Sequence, residues 1–258
     1  MALGLNSLLL IGTLVREPDL RYTPKGEAVL RLDLGGDEHA RDEDGAPRTR
    51  PWYQRATVFG GQAERIADHL RVGTPVWLEG HLEQARWQDD DGRTRSRLDV
   101  VGTRLERLDV GGRDPEDPVA FDARDQPRLR DAVNHVRILG NLARDVEVVR
   151  PAEGPDRAAL VVAVQDRAPR GGEAPVHYVD VRAWRDVALA ADDLGKGDAA
   201  FVEGRLVNDA WTDADGEKRY ATRVEAVRIE TVQRLPRSAA PGVAVPPDRA
   251  AGEAPASA

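Results

Sequence analysis

Short apolar runs, separated by polar and glycine-containing segments, dominate the chain. Residues 8–14 and 28–34 carry strand-like patterns, and residues 53–59 alternate between polar and apolar. Residues 76–82 alternate again, with Val76, Leu78 and Leu82 on one face, as expected of a strand whose successive side chains point to opposite sides. Between these runs, Ile66 and Leu70 stand four apart within residues 63–70, the spacing of a short helix. Asp91-Gly92 is a turn signal between Trp87 and one more strand. Three strands, a helix and two strands make the plan of a five-stranded OB-fold barrel.

The plan is written twice. Residues 6–17 (NSLLLIGTLVRE) return as residues 134–145 (NHVRILGNLARD), and residues 73–82 (GTPVWLEGHL) as residues 197–206 (GDAAFVEGRL). The segment from Trp87 to Arg95 returns from Trp211 to Arg219. The offset is 128 residues at the start and 124 later, so small insertions or deletions separate the matching blocks. A period this long is domain duplication, not a stacked array of small repeats. The expected fold is all-β with a short helix per domain: two tandem five-stranded OB-fold barrels, at residues 1–110 and 133–234. Residues 111–132, rich in Gly, Pro and charge, read as a linker. Residues 235–258 are Ala- and Pro-rich, without aromatics or periodicity, and read as a disordered tail.

Strand parity selects a candidate surface. A barrel interior must be apolar, so Ala56 and Val58 point in while Tyr53, Arg55, Thr57 and Phe59 point out. In the second copy Val179, Val181 and Ala183 point in, which leaves Tyr178, Asp180, Arg182 and Trp184 outside. The fourth strand adds Trp77, Glu79, His81 and, with unbroken parity, Trp87; its repeat adds Phe201, Glu203, Arg205 and Trp211. Outward aromatics beside arginine suit single-stranded nucleic acid. Unpaired bases stack on rings, and guanidinium groups neutralise phosphate and release counterions. Trp52 has inward parity, is replaced by His177 in the second copy, and reads as structural.

Charge alone points elsewhere. The net charge is −8, whereas nucleic-acid-binding domains are commonly basic. Yet 34 of the 37 basic residues are Arg, which both stacks on planar groups and forks onto phosphate. Biased composition is a sufficient cause of that excess, since Ala, Asp and Gly are abundant as well. No run of about 18 apolar residues could form a transmembrane helix. The apolar start lacks the basic region and cleavage site of a signal peptide. Cysteine is absent, so disulfides, thiolate metal sites and cysteine nucleophiles are excluded. A cytoplasmic location is expected.

Together these residues resemble the bacterial single-stranded DNA-binding protein family. The stretch from Asn6 through Gly12, Leu14 and Arg16 to the run Glu17-Pro18-Asp19-Leu20-Arg21-Tyr22-Thr23 and Gly26 is similar to that family's opening. Residues 59–64 (FGGQAE) resemble its junction between third strand and helix, and residues 73–92 its fourth strand and hairpin. The second copy matches through residues 134–145, 178–184, 196–206 and 211–219. The resemblance implies base stacking on Tyr53, Phe59 and Trp87 and on Tyr178, Trp184 and Trp211, the six positions that parity also selects. Phosphate contacts are expected from Arg16, Arg31, Arg55, Arg86, Arg95, Arg144, Arg182, Arg205 and Arg219. It further implies single-stranded DNA as the ligand, a homodimer carrying four OB-folds, no cofactor, and a role in replication, recombination and repair.

Three departures from the family pattern matter. Asp180 stands where the first copy has Arg55, and the second copy lacks the Pro-Asp-Leu-Arg-Tyr-Thr run, so its DNA binding is expected to differ or to be weaker. The sequence ends in small residues where the family carries an acidic tip that recruits replication and repair proteins. Residues 37–44 are acidic where a DNA-wrapping loop prefers positive charge, and read as a solvated loop.

Catalytic chemistry is not legible. His39, His69, His81, His135 and His177 lack ligand spacing. Residues 194–198 do not form a Gly-x-x-x-x-Gly-Lys phosphate loop. Asp89, Asp90 and Asp91 read as a polar hairpin tip and not as a metal site. No acid, base and nucleophile converge, so neither an enzyme nor a bound metal is expected. A rival reading stays open: a divergent paralogue serving as a non-catalytic interaction or regulatory module with little DNA affinity, favoured by the net charge and the missing tip.

Overall fold

A computed structural model of the protein describes residues 4–41, 45–88, 92, 94–109, 118–165, 175–212, 216 and 218–232. The expected disordered tail, the Asp89–Asp91 triplet and residues 111–117 of the expected linker lie outside the described residues, as do the side chains of Trp211 and Arg219.

The first copy comprises β1 (Leu5–Leu14), β2 (Asp19–Tyr22), β3 (Ala28–Arg41), β4 (Pro47–Phe59), α1 (Gly61–Ala67), β5 (Pro75–Gln88) and β6 (Thr94–Arg107). A small hairpin follows, β7 (Val119–Phe121) and β8 (Pro127–Leu129). The second copy comprises β9 (Val133–Leu142), β10 (Glu147–Val149), β11 (Arg157–Gln165), β12 (Val176–Trp184), α2 (Asp186–Leu189), β13 (Ala199–Thr212) and β14 (Lys218–Thr231). In the first copy β1 pairs with β3 and β5, β5 with β6, β6 lies parallel to β4, and β4 pairs with β3. That ring is closed, which leaves no free edge within it. The second copy closes the same way through β9, β11, β12, β14 and β13. The fold is therefore the expected pair of five-stranded barrels, and β2 and β10 are short additions on β3 and β11.

Period-two burial builds each core. Leu30, Leu32, Leu34, Ala56, Val58, Val76, Leu78 and Leu82 fill the first barrel; Leu160, Val162, Val164, Val179, Val181, Val202 and Leu206 fill the second. Helix α1 ends at Ala67, three residues before the apolar spacing predicts, yet Leu70 reaches the first core from the turn after it and is fully buried. Where β6 and β14 each carry one extra residue, at Thr103 and Val227, the strands kink closely over Gly80 and Gly204. A Cβ on these two glycines would lie 2.1 Å from the Val101 carbonyl oxygen and 2.3 Å from that of Glu225. The bulges fall on the partner strands, so the parity of β5 and β13 runs on unbroken. A repeated asparagine ties each barrel. Asn6 donates to the Leu82 carbonyl at 2.8 Å and accepts its N–H at 3.0 Å, while Asn134 does both with Leu206 at 2.9 Å.

The two barrels meet along β1 and β9, which pair antiparallel from Leu5 opposite Leu139 to Ile11 opposite Val133. The second half of the expected linker is built onto the first barrel. Strand β8 lies parallel to β3 with Leu129 opposite Gly36, and Leu129 and Ala132 are buried. Arg128 holds Asp37 at 3.1 Å. Residues 37–41 are accordingly the far end of β3 and not part of a solvated loop, and both Asp37 and Glu38 are used internally.

Candidate nucleic-acid interface

On β4 the side chains of Trp52, Gln54, Ala56 and Val58 are buried, while Tyr53, Arg55, Thr57 and Phe59 lie on the other face. On β12 His177, Val179, Val181 and Ala183 are buried, opposite Tyr178, Asp180, Arg182 and Trp184. Phe59, Trp87, Tyr178 and Trp184 are between 37% and 44% exposed. Large rings usually supply core and interface area, and these four stay half-exposed, Phe59 and Trp184 at matching strand ends. Trp184 walls a hollow of about 310 Å³ together with Val149, Ala159 and Arg182.

Tyr53 stands apart from the other rings. Its hydroxyl donates to Asp122 Oδ2 at 2.6 Å, so the β7–β8 hairpin covers its edge. Burial, and secondly the Asp122 contact, push the Tyr53 phenol up to about 12. The same hydrogen bond is the main reason the Asp122 carboxyl is held below its usual range.

The arginines divide into three groups. Arg16, Arg31 and Arg55 gather beside Tyr53. Arg55 donates to Asp33 at 2.8 Å, which raises its pKa, and Arg16 lies 3.9 Å from the same carboxylate. Arg31 is exposed and has no ion-pair partner among the described residues. A second group touches rings or acidic neighbours. Arg86 lies 5.3 Å over the Tyr178 ring, Arg144 is 3.6 Å from Glu147, and Arg182 is 2.8 Å from Asp209. Arg95 sits opposite Trp87 on β6. Arg205 forms the third group, and it corrects the expectation. Its side chain is only 14% exposed, donating to Glu225 at 3.0 Å and reaching Glu38 of the first copy at 3.5 Å. Glu38 of β3 reaches Arg205 from the other copy, so Arg205 joins the two copies and is not presented to phosphate. Burial outweighs the attraction of Arg205 and pushes the Glu38 carboxyl up.

Strands β5, β6, β13 and β14 outrun their barrels as two hairpin arms. Beyond the barrel the inward parity has no core left to face, and it meets the other copy instead. The Gln84 N–H donates to His177 Nδ1 at 3.0 Å, and Arg86 covers Tyr178. Reciprocally, Asn208 Nδ2 donates to the Tyr53 carbonyl at 2.6 Å. Between the first face and the second arm lies a cleft of about 580 Å³. Arg16, Arg31, Arg55 and Arg97 line it with Asp33 and Asp99, and Tyr220 stands on the far wall. Arg97 also lies 5.7 Å from the Trp87 ring. The residue pattern did not single out Arg97 or Tyr220. Tyr220 shares the parity of buried Val224 and so reads as inward; only the length of the arm beyond the barrel exposes it. Among the described residues no group of three or more metal-ligating side chains could hold an ion, and no helix is long and apolar enough to cross a membrane.

The chain is similar to known proteins over most of its length. The Single-strand binding protein family matches residues 5–108 and again 133–233. The single-stranded DNA-binding protein of Thermus thermophilus is 45% identical over 242 residues, 94% of this chain and 89% of that protein. That of Deinococcus radiodurans is 41% identical over 239 residues, 91% of this chain and 77% of that protein. The crystal structure of the wild-type single-stranded DNA binding protein from Thermus aquaticus superposes with a TM-score of 0.72 at 38% identity, covering 92% of this chain and 98% of that one.

Proposed function

This chain belongs to the single-strand binding protein family, and we propose that it coats single-stranded DNA without sequence preference. The observation that carries the reading is a set of half-exposed rings on both copies: Phe59 and Trp184 at matching strand ends, with Arg97 over Trp87 and Arg86 over Tyr178. Stacking accepts any base, because every base has a π-face. Phosphate contacts make the affinity fall with salt. Duplex DNA is a poor ligand, since its bases cannot reach the rings. Trp211 and Arg219, at the tip of the second arm, belong to the same proposal by their repeat equivalence to Trp87 and Arg95.

The two faces are unequal. Arg16, Arg31, Asp33 and Arg55 of the first copy correspond, through the strand registers, to Arg144, Ala159, Val161 and Asp180 of the second. The first face is more cationic and is assigned the stronger phosphate contacts. Arg205 is left out of the phosphate set, for its guanidinium is occupied by Glu38 and Glu225. A homodimer would bring four OB-folds together, an arrangement inferred from the family resemblance. Protection of single strands during replication, recombination and repair in the cytoplasm completes the reading, with no catalytic step.

Titration of the full chain with poly-dT, followed by Trp fluorescence at low and high salt with a duplex control, tests it. Strong quenching by poly-dT with a weak duplex signal is expected. Absence of quenching at low salt would mean that the rings are covered or repurposed, and the paralogue reading would replace this one.

A further inference from the structure

We propose that the cleft between the two copies extends the single-strand binding face of the first copy, with a base stacked on Tyr220 while Arg31 and Arg97 hold the flanking phosphates. This rests on the single-strand binding reading above and adds Tyr220 and Arg97 to it.

Four features carry the proposal. The first is Tyr220 itself. It is 72% exposed on β14, opposite Ala210, whose methyl group cannot cover the ring. A tyrosine this open contributes little to folding and presents a flat apolar surface to whatever enters the cleft. The second is charge. The chain carries −8 overall, yet the cleft gathers four guanidinium groups against two carboxylates: Asp33 is shared between Arg16 and Arg55, and Arg97 pairs with Asp99 at 2.7 Å while its side chain, unlike that of Arg205, stays 66% exposed. An excess of cations inside an acidic chain attracts an anion to that place and not to the surface at large. The third is size. A volume of about 580 Å³ lies in the range of pockets that enclose a small ligand, which suits one or two nucleotides and not a duplex. The fourth is continuity. Arg97 touches the Trp87 ring from one side and the cleft from the other, so a strand stacked on Trp87 can enter the cleft without leaving positive charge.

The site is not duplicated. By the offset of 124 residues, Tyr220 corresponds to Ser96 and Arg97 to Ala221. The first copy's arm therefore offers no ring to the second copy's face. The cleft joins Tyr220 of the second copy to Tyr53 and the four guanidinium groups of the first.

Photocrosslinking of the full chain to an oligothymidylate carrying 5-bromodeoxyuridine, mapped by mass spectrometry, is the direct test. An adduct on Tyr220 is expected. Tyr220→Ala should lose the adduct and weaken binding of a short oligothymidylate roughly fivefold or more, whereas Tyr220→Phe should keep the affinity, because stacking needs only the ring. The exposed position makes both variants fold like the parent, which thermal melts check. If the parent binds oligothymidylate with Trp quenching, but no Tyr220 adduct forms and Tyr220→Ala binds normally, the cleft site is wrong while the single-strand reading stands. If the parent fails to bind at all, the single-strand reading itself fails.

Discussion

Leu8 stands directly opposite Val136 in the antiparallel pairing of β1 with β9, and each lies two residues after the repeated asparagine of its copy. Equivalent residues facing each other across an antiparallel pair place a local two-fold axis between them. Contacts between the copies therefore come in related sets: Gln84 with His177 on one side of the axis, Asn208 with Tyr53 on the other. Departures from symmetry, such as Tyr220 against Ser96, then stand out as local specialisation.

The repeated asparagines should differ in weight. Asn134 is 3% exposed and satisfies both the N–H and the carbonyl of Leu206. Asn134→Ala strands two buried backbone groups and should cost about 2 kcal/mol in urea unfolding. Asn6→Ala, at a partly buried site that water can reach, should cost about half as much.

Trp87→Ala and Trp184→Ala remove one exposed ring from each face. Each should weaken oligothymidylate binding by about 1–3 kcal/mol while shifting unfolding free energy by less than about 0.5 kcal/mol. The larger binding loss is expected for Trp87, beside the more cationic face.

Tyr53→Phe separates the ring from its hydroxyl. The ring surface survives, but Asp122 Oδ2 loses the Tyr53 donor and the β7–β8 hairpin loses a tie to β4. Amides of residues 119–129 should exchange with deuterium faster, with DNA affinity unchanged within about twofold. Equal exchange in parent and variant would show that Arg128 with Asp37 holds the hairpin unaided.

Stability should fall as mildly acidic solutions are made neutral, through Glu38. Its carboxyl binds a proton more tightly in the folded state than its ordinary value of 4.5 because burial dominates. The contribution is full below that ordinary value and is lost as pH rises through the raised one. Glu38→Gln keeps the shape without the charge, so its urea midpoint should vary less over this window than the parent's. An identical pH slope in the two proteins would place the linkage elsewhere.

Arg185 occupies the turn into α2 with φ 54°, where the first copy has Gly60 at φ 72°. A side chain in that region carries strain that glycine does not. Arg185→Gly should raise the unfolding free energy by roughly 1 kcal/mol, read from a thermal or urea melt.

Much of this molecule was legible before its folding. The duplicated motifs, the strand order and the alternation on β4 and β12 are local properties, because a closed barrel requires an apolar interior at every second residue. That alternation also identified Phe59, Trp87, Tyr178 and Trp184 as surface rings and Trp52 as core. What the chain does beyond the barrel was decided by tertiary structure. Parity tells which face a residue is on but not what lies across from it. It could not tell that Glu38 of β3 would reach Arg205 on β13, which turned Arg205 into a tie between the copies. Nor could it tell that a supposed linker would cover the edge of Tyr53, or that the inward face of β14 would leave its own barrel and present Tyr220 to its neighbour. These outcomes depend on strand length and on where the two-fold axis falls, and both are settled only when β1 meets β9.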